Sequence, residues 1–181
     1  ERMLPVPVKS LEAITQLYPG ELEKFEEVRK DIGDAIINDI INTRMPESVV
    51  FDLTERGLVI RLQSANFFAP GSAEIMPEVL PILDKVAKKL KVLKSHIRIE
   101  GHTDSIPIST LNFPSNWDLS AARASNIVKY LIEKFQFPPE RITVAAYGDS
   151  RPIAENEAET GRAKNRRIDI VVMSIREVGY E

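Results

Sequence analysis

The stretch Ile97-Arg98-Ile99-Glu100-Gly101-His102-Thr103-Asp104 decides the fold, because it lies between two segments with the apolar period of a helix. Apolar residues recur three and four positions apart over 76–93 and again over 116–135. This spacing predicts a helix on each side of a short strand over Ile97–Glu100. Strands that alternate with helices pair in parallel through right-handed crossovers. The segment therefore predicts an α/β domain.

Four more strands are predicted from apolar residues that alternate with polar ones. The first two, 49–53 and 58–62, are separated by Thr54-Glu55-Arg56-Gly57, which is typical of a hairpin. The last two cover 142–147 and 168–175. The predicted fold class is α/β, as an α+β sandwich in which a mixed sheet carries its helices on one face. The segments from Ser64 to Ile75 and around Gly148 to Gly161 are predicted as loops.

Charge divides the chain near Ser48. Residues 1–48 carry a net charge of −4 and residues 49–181 a net charge of +1. The first part predicts two helices, over 10–17 and 21–43, so we interpret 1–48 as a helical linker or regulatory segment and 49–181 as the domain. The apolar stripe of the second helix either packs on its own domain or serves a dimer contact or regulation.

Composition excludes several classes of protein. The chain has 181 residues, 43% of them hydrophobic and 28% charged, as in a globular domain. A net charge of −3 without a basic stripe argues against nucleic acid as a partner. The absence of cysteine excludes disulfides, thiolate metal sites and cysteine nucleophiles. No apolar run is long enough for a transmembrane helix, and no signal peptide is visible. Because the chain begins with Glu1, we expect a fragment whose membrane anchor or export signal lies upstream.

A candidate binding site lies where the Ile97 strand ends. His102-Thr103-Asp104 follows that strand at its carboxyl end, the edge at which open α/β sheets bind ligands. Asn116 opens the next helix, whose first turns carry Arg123. An Asp and an Arg beside a helix amino-terminus suit a ligand with both an ammonium and a carboxylate. The alternatives from the residues alone are a plain Asp104–Arg123 ion pair and helix capping by Asp118 or Ser120.

Four motifs in order carry a family resemblance. They are Gly-His-Thr-Asp (101–104), Leu-Ser-Ala-Ala-Arg-Ala (119–124), Tyr-Gly-Asp-Ser-Arg-Pro-Ile-Ala (147–154) and Gly-Arg-Ala-Lys-Asn-Arg-Arg-Ile-Asp-Ile (161–170). Together they resemble the OmpA-like peptidoglycan-binding domain over about Phe51 to Ser174. The resemblance implies a non-catalytic domain that binds the diaminopimelate residue in the stem peptide of peptidoglycan.

The resemblance also implies roles for particular residues. Asp104 and Arg123 occupy the positions that hold the two ends of diaminopimelate in this family. Further ligand-binding positions follow from the same motifs: Thr103, Leu119 through its backbone, Ser120, Asn165 and Arg166.

Three features are similar to the MotB family of flagellar stator proteins. They are Ser105-Ile106-Pro107-Ile108 after Asp104, the helix start Asn116-Trp117-Asp118-Leu119-Ser120, and Phe68 to Ile75. This finer resemblance implies the periplasmic part of a single-pass inner-membrane protein that anchors a stator to the cell wall. It implies a homodimer and a MotA-type membrane subunit as partners. The alternative is another OmpA-like tether: an outer-membrane protein, a Pal-like lipoprotein or a secretion-system anchor. The coupling ion of such a motor stays open.

Other chemistry finds little support in the residues. His102 and Asp104 form a His-x-Asp pair, but His96 is the only other histidine and a hydrolytic metal site needs three ligands, so neither metal nor cofactor is predicted. No Gly-x-Ser-x-Gly occurs, so no enzyme is predicted. His102 is expected to hydrogen-bond the backbone and shape its loop. The basic run 162–167 is either a solvated face or a ligand contact, and Arg166 is its predicted binding residue.

Overall fold

The computed structural model describes residues 20, 23–28, 30, 49–54 and 56–173. Five strands form one sheet: β1 (Val49–Thr54), β2 (Gly57–Gln63), β3 (Ile97–His102), β4 (Ile142–Ala146) and β5 (Arg167–Met173). Four helices accompany it: α1 (Ser64–Phe67), α2 (Leu80–Val92), α3 (Asn116–Phe135) and α4 (Glu159–Asn165). Two 3₁₀ turns cover Pro77–Val79 and Pro139–Arg141. All five predicted strands and the helices predicted over 76–93 and 116–135 are confirmed, although the predicted end of the last strand lies outside the described residues.

The sheet is mixed, as predicted, with the strand order β1-β2-β5-β3-β4. Strands β3 and β4 pair in parallel across α3, whereas the other three pairings are antiparallel. Strand β5 lies between β2 and β3, so those two strands point the same way without touching. The expectation of parallel neighbours therefore holds for the crossover through α3 and is wrong for the one through α2.

The helices α2 and α3 cover one face of the sheet, which confirms the predicted fold class. Residues of β3 alternate, so that Ile97 and Ile99 are fully buried in the hydrophobic core. The helices contribute their apolar stripes to the same core: Ile82, Leu83, Val86, Ala87 and Leu90 from α2, and Ala124, Ile127 and Leu131 from α3. Each valine, leucine or isoleucine among them contributes about 1.5–3 kcal/mol through burial. This packing fixes α3 against the carboxyl end of β3.

The opposite face of the sheet carries paired charges. Glu100 on β3 accepts hydrogen bonds from Arg56 at 2.8 Å and Arg98 at 2.7 Å. Its neighbour Asp169 on β5 accepts from Arg61 at 2.9 Å and Arg167 at 3.1 Å. Both carboxylates are 1% exposed. Buried carboxylates are tolerated only with such partners, so these ion pairs tie three strands together.

Two segments predicted as loops contain short helices. Helix α1 buries Phe67, and helix α4 carries Glu159 in its first turn and Lys164 in its last, which suits the helix dipole. Helices of four and seven residues are too short to show an apolar period in the sequence. Such short helices are stabilised by tertiary contacts rather than by their own sequence pattern. In the described ranges, no helix has the length and apolarity needed to span a bilayer.

Part of the predicted second helix packs against the domain. Residues 23–28 are helical, and Phe25 and Val28 are 1% and 7% exposed within the hydrophobic core. Lys24 Nζ donates to Ser95 Oγ at 2.5 Å. These contacts favour the alternative in which the stripe packs on its own domain. The remainder of that helix and the predicted helix over 10–17 lie outside the described residues, and the boundary near Ser48 stays a prediction.

Candidate ligand-binding site

The site is built where β3 meets the start of α3. A Cβ at Gly101 would lie 2.1 Å from the carbonyl oxygen of Ser120, so only glycine lets the helix approach the strand this closely. The backbone N–H of Thr103 donates to the carbonyl of Gly148 at 2.8 Å, which joins the strand end to the turn after β4. Asp104 follows at once and therefore lies beside the amino-terminus of α3.

The start of α3 is capped by Ser115. Its hydroxyl oxygen accepts from the backbone N–H of Asp118 at 3.4 Å and donates to the Asp118 carboxylate at 2.6 Å. The alternative that Asp118 or Ser120 caps this helix is therefore wrong. The buried Ser120 hydroxyl instead donates to the carbonyl of Trp117 at 3.0 Å and accepts from Gly148 N–H at 3.1 Å. Ser120 positions the turn rather than lining the site.

Asp104 forms an ion pair with Arg166. The carboxylate is 7% exposed; its Oδ2 accepts from Arg166 Nη1 at 2.6 Å, and its Oδ1 accepts from the backbone N–H of Ile106 at 3.0 Å. The simple Asp104–Arg123 ion pair is therefore wrong, because Asp104 is paired instead with Arg166, the residue that follows α4. Asn116 Nδ2 adds hydrogen bonds to the carbonyls of Asp104 at 3.3 Å and Ile106 at 3.1 Å. The sequence interpretation used Asn116 only as a helix start and missed this role.

Arg123 is held by the loop that follows α1. Its Nε donates to the carbonyl of Ser72 at 2.8 Å, its Nη2 to that of Ala69 at 3.4 Å, and its Cζ lies 5.0 Å from the ring centroid of Phe68. The residue is 4% exposed. Burial, with the nearby positive charge of Arg166, lowers the pKa of Arg123 to about 10, although Asp104 opposes this. A guanidinium with that pKa stays charged at neutral pH and gains from an added carboxylate.

A cavity of about 440 Å³ brings five of the seven predicted residues together: Thr103, Asp104, Leu119, Arg123 and Arg166. Its walls are otherwise mostly apolar, with side chains from the α1 loop and the loop after Asp104: Phe68, Pro70, Ile106, Pro107 and Ile108. A binding pocket for a small ligand is usually an apolar cleft into which a few polar groups converge. Here the converging groups are one carboxylate and two guanidiniums.

The other two predicted residues, Ser120 and Asn165, do not line the cavity. Asn165 is fully buried; its Oδ1 accepts from the N–H groups of Ile153 and Ala154 at 2.8 and 3.0 Å, and its Nδ2 donates to the Ala154 carbonyl at 2.8 Å. Like Ser120, it holds a neighbouring turn. Sequence reasoning also missed Glu159, whose carboxylate accepts from Arg166 on the side away from Asp104. Arg166 thus bridges two carboxylates.

His102 lies on the other face of the sheet, away from Asp104. Its ring stacks on Tyr147 with centroids 5.1 Å apart, and Nε2 lies 3.6 Å from Glu100 Oε2 and 3.9 Å from Asp169 Oδ2. Neither ring nitrogen has a hydrogen-bond partner among the described residues, so the expected hydrogen bond to the backbone is wrong. Burial, aided by Arg167, lowers the pKa of His102 despite the two carboxylates.

Glu100, His102 and Asp169 are the group within the described ranges that comes nearest to a metal centre. One ligand atom of each lies within 4.8 Å of the others. Both carboxylates, however, already accept from two arginines each. Four guanidiniums against two carboxylates leave this cluster cationic, which opposes a metal ion. Glu100, His102 and Asp169 are better explained as part of the ion-pair network on this face of the sheet. We call that network, formed by Glu100 and Asp169 with their four arginines, the charge ladder.

Comparison with known proteins places this geometry in a family. The model of the OmpA family matches residues 67–166, which include both charged walls of the cavity. Motility protein B of Bacillus subtilis (strain 168) is 34% identical over 155 residues, covering 84% of this chain and 56% of that protein. The peptidoglycan-binding protein ArfA of Mycobacterium tuberculosis (strain ATCC 25618 / H37Rv) is 37% identical over 106 residues, 58% of this chain and 31% of the relative.

Solved structures agree with the fold. The periplasmic domain of Helicobacter pylori MotB (residues 90–256) superposes with a TM-score of 0.65 at 29% identity, covering 73% of this chain and 83% of that one. The cell wall anchor of the type VI secretion system from Pseudomonas aeruginosa gives a TM-score of 0.67 at 31% identity, covering 77% and 96%.

The chain therefore belongs to the OmpA family. Within it, the chain is an OmpA-like domain whose relatives include proteins named Motility protein B and whose structural neighbours include the MotB periplasmic domain. It spans only 50–64% of the length of the curated relatives YtxE and Motility protein B of B. subtilis and Motility protein B of H. pylori (strain J99).

Proposed function

We propose that this domain binds peptidoglycan without catalysis and anchors a membrane complex to the cell wall. The observation that carries the proposal is the placement of Asp104 and Arg123 on one cavity, with opposite charges and apolar walls between them. The end of a diaminopimelate side chain bears an ammonium and a carboxylate on one carbon. Its charge pattern matches the cavity, and membership of the OmpA family supports the same assignment independently of the geometry.

In this proposal the ammonium of the ligand binds Asp104. That carboxylate already accepts from Arg166 and Ile106, so the ammonium shares it with Arg166 or displaces the guanidinium toward Glu159. The ligand carboxylate binds the edge of Arg123 that the Ser72 and Ala69 carbonyls leave open. Thr103 and the backbone of Leu119 complete the pocket, while Ser120 and Asn165 hold its turns. Each charge-assisted hydrogen bond contributes about 1.5–3 kcal/mol.

We further propose that the whole protein is the B-type subunit of a flagellar stator. The relative named Motility protein B and the MotB periplasmic domain support this. The domain would then lie in the periplasm, as part of a single-pass inner-membrane protein that works with a MotA-type subunit. A homodimer would place two pockets on one wall polymer, and the second contact gains from effective concentration.

The secretion-system anchor is the second candidate, because the cell wall anchor of the P. aeruginosa type VI system superposes about as well as the MotB domain does. Both candidates use the same wall-binding pocket and differ in what is anchored. Deletion of the gene separates them: loss of swimming with intact flagella supports the stator, whereas loss of type VI secretion with normal swimming supports the other tether.

Retention on purified sacculi tests the binding proposal. Wild-type protein is expected to co-sediment with sacculi, and Asp104→Asn and Arg123→Gln to stay in solution. Glu133→Gln is the matched control, because that carboxylate is exposed near the far end of α3 and does not line the cavity. Equal retention of all four proteins contradicts the site. Release of soluble muropeptides during the incubation contradicts the non-catalytic assignment.

A further inference from the structure

The one tryptophan of the chain lies half-exposed beside the cavity. Trp117 is 51% exposed in the first turn of α3, directly after Asn116, which lines the cavity. A large aromatic ring gains most of its free energy from burial, so an exposed ring on a rigid element suggests a surface for a partner.

The indole ring is held in place by the turn after β4. Gly148 has a φ of +52°, and a Cβ there would lie 3.4 Å from Cδ2 of the Trp117 ring, so the ring lies close against this turn. Ser120 links the two through its bonds to the Trp117 carbonyl and the Gly148 N–H. The ring is thereby restrained on one side, while about half of the residue is open to solvent. A ring fixed before binding loses little conformational entropy when a ligand stacks on it.

The same turn joins the ring to the pocket. Gly148 accepts from Thr103 N–H, and Thr103 lines the cavity. Asn116, which directly precedes Trp117, lines the cavity too. Trp117 therefore lies at the rim of the site.

We propose that the exposed face of Trp117 binds a sugar ring of the glycan strand whose stem peptide occupies the cavity. This inference rests on the proposed function, because a stem peptide held by Asp104 and Arg123 brings its own glycan to the rim. A pyranose has an apolar face of C–H bonds and a rim of hydroxyls. The indole supplies a flat apolar surface, and its N–H supplies a donor for a hydroxyl.

Titrations with two defined ligands test the inference: the diaminopimelate-containing stem peptide and the same peptide carrying its disaccharide. The disaccharide peptide is expected to bind about 2- to 10-fold more tightly and to shift the Trp117 fluorescence, which the peptide alone leaves nearly unchanged. Because Trp117 is the single tryptophan, that emission reports on this ring alone.

Calorimetry on variants completes the test. Trp117→Leu is expected to bind both ligands with the affinity of the wild type for the bare peptide, and Trp117→Phe to lie between. Leu111→Ala removes another exposed apolar side chain and should behave as wild type. Equal affinity of the wild type for the two ligands, or an unchanged ratio in Trp117→Leu, overturns the sugar contact alone. If neither ligand binds the wild type, the proposed function falls with it.

Discussion

Arg166 Nη1 lies 2.6 Å from Asp104 Oδ2, so the carboxylate at the end of β3 is paired with the residue that follows α4 and not with Arg123 on α3. Arg123 is fixed separately by carbonyls of the loop after α1. The two ends of the cavity are therefore charged and independently supported. A ligand with both charges can engage them without first breaking an ion pair between them.

Arg166→Gln is expected to weaken retention on sacculi, because it removes the cation that orients Asp104. The free energy of unfolding should change by less than about 1 kcal/mol, since the pair is partly exposed. Lys164→Gln is the matched control: it removes an exposed positive charge two residues away, in the last turn of α4. Co-sedimentation and urea denaturation measure the two effects. Equal loss of retention in both variants would point to net charge rather than to the Asp104 contact.

Gly101→Ala is expected to destabilise the domain by more than about 3 kcal/mol, because its Cβ would lie 2.1 Å from the Ser120 carbonyl. Gly71→Ala should cost only about 1 kcal/mol. There φ is +65°, but the new Cβ meets nothing closer than Ile108 at 4.0 Å. Chemical denaturation of both variants compares a close backbone approach with left-handed strain alone. A similar cost for the two substitutions contradicts the packing of α3 on β3.

The stability of the domain should fall in mild acid because of His102. Burial, with Arg167, lowers the pKa of this histidine, so the unfolded chain binds its proton more readily than the folded chain does. The stabilising contribution is complete above the unfolded pKa of about 6.5 and is lost as the pH falls below it. His102→Phe keeps a ring against Tyr147 and should flatten the pH dependence of the unfolding free energy just below pH 6.5. An unchanged slope argues against a neutral His102.

Lower pH should bring a second loss of stability, through Glu100. Burial raises the pKa of this carboxyl, but the hydrogen-bonded guanidiniums of Arg56 and Arg98 outweigh it and hold the pKa at about 2. The carboxylate therefore stabilises the fold above pH 4.5, and that contribution is lost as the pH falls toward 2. Glu100→Gln should flatten this acid limb and lower stability at pH 7. Thermal unfolding between pH 7 and pH 3 measures both effects.

Phe25→Ala is expected to lower the free energy of unfolding by about 3 kcal/mol or more, because the ring is 1% exposed in the core. Lys30→Ala changes an exposed residue just beyond the same helical segment and should have little effect. The comparison tests whether this part of residues 1–48 is structurally integral to the domain. If Phe25→Ala unfolds like wild type, the segment is a separable linker.

Strand and helix positions were predictable because each has a clear apolar period. The position of β5 between β2 and β3 was not, since it depends on pairing between residues about 100 positions apart along the chain. The charge ladder left a visible signal: Arg98 and Glu100 on β3, like Arg167 and Asp169 on β5, alternate with apolar residues. When two strands each alternate charged and apolar residues, the charged side chains of both can lie on one face of the sheet. This pattern suggests that the two strands pair and that their charges meet on the face opposite the helices.

The family motifs predicted more of the residues that line the cavity than the spacing of charged residues did. From spacing, Asp104 and Arg123 looked like partners, because both lie near one helix start. Arg123 is in fact bound by carbonyls of the loop after α1, and Asp104 by Arg166, which follows α4. Neither of these two short segments has a periodic signal in the sequence. The motifs also grouped Ser120 and Asn165 with the pocket, although both are fully buried and bond to neighbouring turns. A motif marks a shared position without distinguishing ligand contact from support.

Recognition of the diaminopimelate end is the central claim, and calorimetry with two stem peptides tests it most directly. One peptide ends in diaminopimelate; the other has lysine at that position and so lacks the side-chain carboxylate. Wild-type protein is predicted to bind the diaminopimelate peptide at least about 10-fold more tightly, one charge-assisted hydrogen bond being worth that much. Arg123→Gln should abolish the difference. Equal affinity of the wild type for both peptides would contradict the account.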